Sequence, residues 1–227
     1  MTASIIRDAS RLSFYKWRIN LMNFFLRKNL LTLGVVMLLT VSCAPKSTLH
    51  VWRDENYPQK MGKTLVIFVT DIDYMRNNFE NLLAGQLGDS GVEALPGNTV
   101  MRQLGTRPER DEVVARVRKL GIENIILARA VSKDEYSRLL PGDGYIVPMG
   151  YNTGWNSFYT DSFSIVTNPL TVYDVKYFTV VTNIYDARGD ILVGSYLSRM
   201  EGETSRDEAV NLFIEMVLKE LTSSKLL

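Results

Sequence analysis

The sequence predicts an α/β domain: a mixed sheet in two or three layers, wound β-α-β-α-β and followed by a β-hairpin and a C-terminal helix. Three observations carry this reading. Short apolar runs at Leu65–Val69, Val92–Leu95 and Ile125–Ala128 alternate with stretches of helical period, the pattern of right-handed crossovers in a locally parallel sheet. Two long β-prone runs, Val172–Tyr185 and Ile191–Met200, flank Asp186-Ala-Arg-Gly-Asp190, a turn in which Gly189 is available for positive φ. Beyond them, Val210, Phe213, Ile214, Val217 and Leu221 recur on one helical face.

In chain order, residues 1–42 read as a signal peptide. Arg27 and Lys28 precede a run from Leu30 to Val41. A dozen or so residues is the length of a signal-peptide core, whereas a membrane-spanning helix needs about twenty. Met22 is a natural second start, which would leave residues 1–21 untranslated; the alternative is a basic arm on the membrane surface. Before Cys43 stand Arg7, Arg11, Lys16, Arg18, Arg27 and Lys28 against Asp8 alone. The leader therefore carries +5 and the rest of the chain about −4, given the net +1 overall. A slightly acidic body gains little from counterion release, which argues against nucleic acid as a partner.

Leu39-Thr-Val-Ser42-Cys43-Ala44 resembles the lipobox of bacterial prolipoproteins, with Thr40 where that family more often has leucine. The resemblance implies cleavage before Cys43, a diacylglycerol on its sulfur and an acyl chain on the new amine. Ala44 in place of aspartate implies the outer membrane, periplasmic face, with the inner membrane as the alternative. Two or three acyl chains anchor stably, since each buried methylene contributes about 0.8 kcal/mol. Cys43 is the only cysteine, so no intrachain disulfide forms. The alternatives are an uncleaved signal anchor and a short core helix. Residues 43–60, polar and holding Pro45 and Pro58, read as a lipidated tether, with His50 solvated on it.

Residues 61–227 read as a single domain. Lys63–Thr70 is a buried strand. Asp71 or Asp73 can cap the next helix, on which Met75, Phe79, Leu82, Leu83 and Leu87 recur before Gly88 ends it. Pro96-Gly97 closes a short second strand. Thr106 and Glu109 have capping-box spacing around Pro108, with Val113, Val114, Val117 and Leu120 as the apolar stripe and Gly121 as the stop. Arg116 and Arg118 read as its solvated side. Residues 137–170 are rich in glycine, proline and aromatics and read as a long loop. Thr204, Ser205, Asp207 and Glu208 open the final helix.

Leu65-Val-Ile-Phe-Val, Arg76-x-x-Phe79-Glu80, Gly91-Val92-x-Ala94 and Thr182-Asn-Ile-Tyr-Asp186 together resemble bacterial envelope prolipoproteins of no assigned activity. That family is similar in fold to the amino-terminal domain of the Tol–Pal translocation protein and to the curli secretion lipoprotein. Val181 stands where the resemblance implies glutamate, and Val193 where it implies tryptophan. It implies an α/β lipoprotein domain and no activity.

The chemistry available is narrow. Gly62-Lys63-Thr64 is not a phosphate loop, because Tyr57 occupies the first glycine position and the tripeptide precedes a strand. One histidine and one cysteine do not build a nucleophilic triad or a zinc site. Asp71 and Asp73, at the carboxyl end of a strand, are weak candidates for holding a metal or small ligand through oxygen; helix capping is the simpler use. No cofactor is expected beyond the lipid. Tyr145, Tyr151, Trp155, Phe158 and Tyr159, with nearby glycines, form a candidate interaction surface; the competing reading folds the loop back over the sheet. The expected function is non-enzymatic: a membrane-anchored envelope protein that binds another envelope protein or itself, the aromatic loop and the hairpin edge being its surfaces.

Overall fold

The computed structural model describes residues 47–104, 109–139, 148, 154–166, 177–201 and 205–227. Cys43, Met22, Thr106, Pro108, Tyr145, Tyr151 and the start of the predicted Val172 strand lie outside them. A six-stranded mixed sheet has the order β1-β6-β5-β4-β2-β3. Its strands are β1 (Ser47–Arg53), β2 (Thr64–Val69), β3 (Ala94–Pro96), β4 (Asn124–Ala130), β5 (Tyr177–Asp186) and β6 (Ile191–Glu201). β2 runs parallel to β3 and β4, while the β4–β5, β5–β6 and β6–β1 pairs are antiparallel.

β2 is apolar at nearly every position because both faces of the sheet are covered. Val66 and Phe68 point to one side and Leu65, Ile67 and Val69 to the other. The first side packs on α1 (Asp73–Asp89) and α6 (Arg206–Ser223) through Phe79, Leu83, Phe213 and Val217. The second packs on α3 (Arg110–Lys119) and α5 (Gly154–Val166) through Val113, Val117, Trp155 and Phe158. Each such side chain contributes about 1.5–3 kcal/mol by leaving water. The result is a three-layer α/β arrangement, with α2 (Gly97–Val100) and α4 (Lys133–Leu139) as short connecting helices.

Several local expectations are corrected. Ser47–Arg53, read as tether, pairs along its whole length with Met200–Gly194 of β6. Leu49 and Trp52 pack on the two cores. His50 lies half-buried in this strand, opposite Leu197. The hairpin edge is therefore covered, and among the described residues β1 is the edge strand on that side of the sheet. α1 runs past Gly88 to Asp89 and stops at Gly91, φ 88°. Its N-cap is Ile72, without a side-chain bond, so neither Asp71 nor Asp73 caps it. α3 starts at Arg110, where the Glu109 N–H donates to the Glu112 side chain, so the predicted Thr106–Glu109 box is one turn too early. In the hairpin turn Asp190, not Gly189, takes positive φ (55°).

Residues 137–170, read as a loop, contain α5. Trp155, Phe158, Tyr159 and Ser162 follow the i, i+3, i+4, i+7 spacing and are all buried. The helix begins where the Trp155 N–H donates to Asp190 Oδ1 (2.7 Å), so a turn of the sheet supplies the acceptor that caps it. Gly154 is required there: its φ is 69°, and a Cβ would sit 2.0 Å from the Asp190 carboxylate.

Candidate functional site

The register places the carboxyl ends of β2, β4 and β6 and the amino ends of β1 and β5 at one end of the sheet. Ligands of open α/β sheets favour the end where parallel strands finish. Three charged groups are held there by different means.

Arg129, next to last in β4, is fully buried. Its guanidinium forks onto Glu135 of α4: Nη1 donates to Oε2 (2.9 Å) and Nη2 to Oε1. Nη1 also donates to the Ala130 carbonyl (3.1 Å), and the Phe158 ring lies 5.4 Å away beneath the charge. The pair is affordable only because the fork is doubly bonded and the ring side is apolar. Val181, where the resemblance implies glutamate, stands directly opposite Arg129 in the ladder. The carboxylate that pairs with Arg129 comes from Glu135.

Arg199 of β6 shares the Arg129 face, since it follows Leu197 by two residues. Its guanidinium carbon lies 3.6 Å from the Tyr177 ring centroid and 4.5 Å from that of Tyr136. Arg199 forms no ion pair among the described residues, and its Nε is buried without a hydrogen-bond partner.

Glu80 of α1 reaches the open flank of β2 beyond the last β3 partner. Phe68 N–H donates to its Oε1 (2.9 Å) and Asn98 N–H to its Oε2. The carboxylate thus stands in for the missing strand. Gly97 leaves room for it, since a Cβ would lie 2.9 Å from the Val66 carbonyl and 3.1 Å from Glu80 Oε1. Burial pushes the Glu80 carboxyl up to about 7, against the opposing pull of the two N–H donors and the Arg76 charge.

Of the residues singled out in the sequence, Asp71 and Asp73 are exposed, and Asp73 is tied to Arg76 one turn on. Among the described residues no group of three or more His, Cys, Asp or Glu side chains converges. Trp155, Phe158 and Tyr159 are 3–5% exposed and face the sheet, so their rings do not form the free surface expected of them. The Tyr159 hydroxyl is raised by burial and by the Glu80 charge. Arg129, Glu135 and Arg199 were missed. The available signal was a single arginine interrupting each apolar strand run.

The opposite end of the sheet is a closed polar network. Asp186 accepts from the Arg188 and Gly189 N–H groups, from the Arg188 guanidinium and from the Tyr57 hydroxyl. Burial opposes its charge, but these donors outweigh burial and hold the carboxyl below its usual range. Arg188 also reaches Glu123 and Gln59. A shallow hollow of about 100 Å³ lies nearby, between Arg53, Asp54, Tyr57, Ser224 and Leu226.

Searches of family profiles and of curated protein sequences give no match. Among solved structures the chain is similar to a PelC dodecamer from Paraburkholderia phytofirmans, at 11% identity and TM-score 0.40, over 76% of this chain and 95% of that one. A variant of the same PelC gives 12% and 0.41, over 76% and 96%. Lipoprotein GNA1162 from Neisseria meningitidis gives 10% and 0.38, over 71% and 96%. One of these neighbours is thus itself a bacterial lipoprotein.

Proposed function

We propose that this chain is the precursor of a lipid-anchored bacterial envelope protein with a non-enzymatic role. It would be cleaved before Cys43, acylated there and held at the periplasmic face of the outer membrane. The observation that carries this is the lipobox-like run Leu39–Ala44 directly ahead of a folded domain: only Ala44, Pro45 and Lys46 separate Cys43 from β1. The Leu65–Val69 and Thr182–Asp186 motifs support kinship with envelope lipoproteins.

The partner is another envelope protein or a second copy of this chain, and β1 is its docking edge. This strand is seven residues long, contains no proline, and has Arg53 as its only Asp, Glu, Lys or Arg. Val51 is 37% exposed on it. Edges of that kind are normally blunted by charge, proline or a bulge; an unblunted one suits strand addition.

Two experiments test the reading. Intact mass of the membrane-extracted protein is expected to equal residues 43–227 plus a diacylglycerol and an acyl chain. Cys43→Ser is expected to abolish processing and acylation; a variant still cleaved and still lipid-modified sinks the anchor. A photo-crosslinker at Val51 in cells is expected to trap a partner, and recovery of monomer alone removes the docking edge.

A further inference from the structure

We infer that Arg199 is the centre of an oxyanion-binding site that takes a phosphate group. Three features of the molecule point to it.

The first is charge balance. At this end of the sheet Arg76 is neutralised by Asp73 and Arg129 by Glu135. Arg199 alone of the three has no carboxylate within ion-pair distance among the described residues, although its Nε is out of contact with water and unbonded. Its two Nη groups are not among the buried unbonded atoms and the residue is only half-buried, so the charge is open on its Nη side and can take an anion there.

The second is orientation. Tyr177 and Tyr136 lie against the guanidinium at 3.6 and 4.5 Å. Rings at these distances cover the guanidinium carbon, and the pair of donors left for a partner is Nη1 and Nη2, since Nε is buried. An in-plane fork matches two oxygens of a phosphate or carboxylate, each bond being charge-assisted. The tyrosines also fix the fork before a ligand arrives, which lowers the entropy cost of binding.

The third decides the source, and it rests on the lipid-anchor reading. Arg199 stands directly opposite Thr48 in the β1–β6 ladder. Thr48 is five residues from Cys43, a span of at most about 18 Å at full extension. The anion held permanently within that distance of an acylated Cys43 is the headgroup phosphate of the surrounding bilayer.

The test uses the membrane-extracted protein in non-ionic detergent, titrated with inorganic phosphate and with dihexanoyl phosphatidylglycerol, reading Tm. Both ligands are expected to raise the Tm of the wild type. Arg199→Gln is expected to bind each about ten- to hundred-fold more weakly, as the loss of one charge-assisted contact implies. Arg199→Lys keeps the charge but not the fork, and is expected to fall between them. Tyr136→Phe keeps the stacking and is expected to bind as wild type. Equal titrations in wild type and Arg199→Gln overturn the site. If the phospholipid binds no more tightly than inorganic phosphate, the headgroup source is overturned while the oxyanion site stands. Because the titration is done in detergent, it can fail or succeed independently of whether Cys43 proves to be acylated.

Discussion

At the residue scale, the buried groups at the carboxyl end each solve a problem that the backbone leaves open. Glu80 is the clearest. β3 is only three residues long and pairs with β2 no further than Val66, which leaves the Phe68 N–H exposed on that flank. A carboxylate delivered from α1 accepts it, and the Asn98 N–H as well. The cost is a charge in an apolar setting. The folded carboxyl sits at about 7, against an ordinary value of 4.5, so folding takes up a proton between those limits. The stabilisation linked to this group is fully present below about 4.5 and is lost as pH rises through about 7. Urea midpoints of the wild type are therefore expected to fall between pH 5 and pH 8, and Glu80→Gln is expected to flatten that slope. An unchanged slope in the variant would show that Glu80 stays ionised throughout. Asp186 works in the opposite sense. Its carboxyl is held low, so its contribution is present near neutrality and lost only in acid, outside the window in which Glu80 titrates.

At the element scale, three helices end in the same way, with one difference. In α1, Val92 N–H donates to the Leu87 carbonyl and Gly91 N–H to that of Gly88. In α3, Ile122 and Gly121 donate to Val117 and Arg118, and in α6, Leu226 and Lys225 donate to Leu221 and Thr222. Each is a Schellman motif, which needs a left-handed residue just past the cap. α1 and α3 place Gly91 and Gly121 there; α6 places Lys225, at φ 59°. A side chain in that region costs about 1–2 kcal/mol, offset in part by the greater freedom glycine has when unfolded. Lys225→Gly is therefore expected to stabilise the domain by about 0.5–1 kcal/mol in urea denaturation, and a loss of stability would mean that Lys225 has another role. The α1, α3 and α6 helices were legible in the sequence because their apolar period is local and, in α3 and α6, a stop glycine or Ser205 cap lies within the segment. β1 was not, because Ser-Thr-Leu-His-Val-Trp-Arg has no long apolar run and its partner β6 lies some 150 residues further on. α5 was half legible: its aromatic spacing is helical, but polar, β-branched and aromatic residues of modest helix propensity fill it. Its capping acceptor, Asp190, is 35 residues downstream. Arg129 and Arg199 were hidden for a related reason. A lone charge in a strand reads as an interruption until the turn into α4 brings Glu135 beneath one and the β5 start lays Tyr177 against the other.

At the scale of the whole molecule, the shortness of the link to Cys43 bears on orientation. With Ser47–Arg53 in the sheet, the span from Cys43 to Ser47 is four residues, about 14 Å at most. β5, ten residues long, spans about 30 Å from Tyr177 at the carboxyl end of the sheet to Asp186 at the other. A lipid-anchored domain on so short a link does not invert, because the β1 start has to stay near the headgroups while the Asp186–Arg188 network lies a sheet's length away. That end also presents exposed charge on Arg188 and Glu123, which gains from remaining in bulk water. Spin-labelled headgroups in bilayers holding the acylated protein are expected to broaden amide signals in a gradient. Ser47, Tyr74 and Tyr177 should be affected strongly, Leu127 and Val181 less, and Ala187 and Leu227 least. Lengthening the link by ten glycine and serine residues after Lys46 is expected to flatten the gradient without changing Tm, since the added residues lie ahead of β1. A flat profile with the natural link would mean that the domain lies along the membrane on one helical face. A reversed one would mean that Ser47 is not next to the anchor, which would remove the headgroup assignment for Arg199 with it.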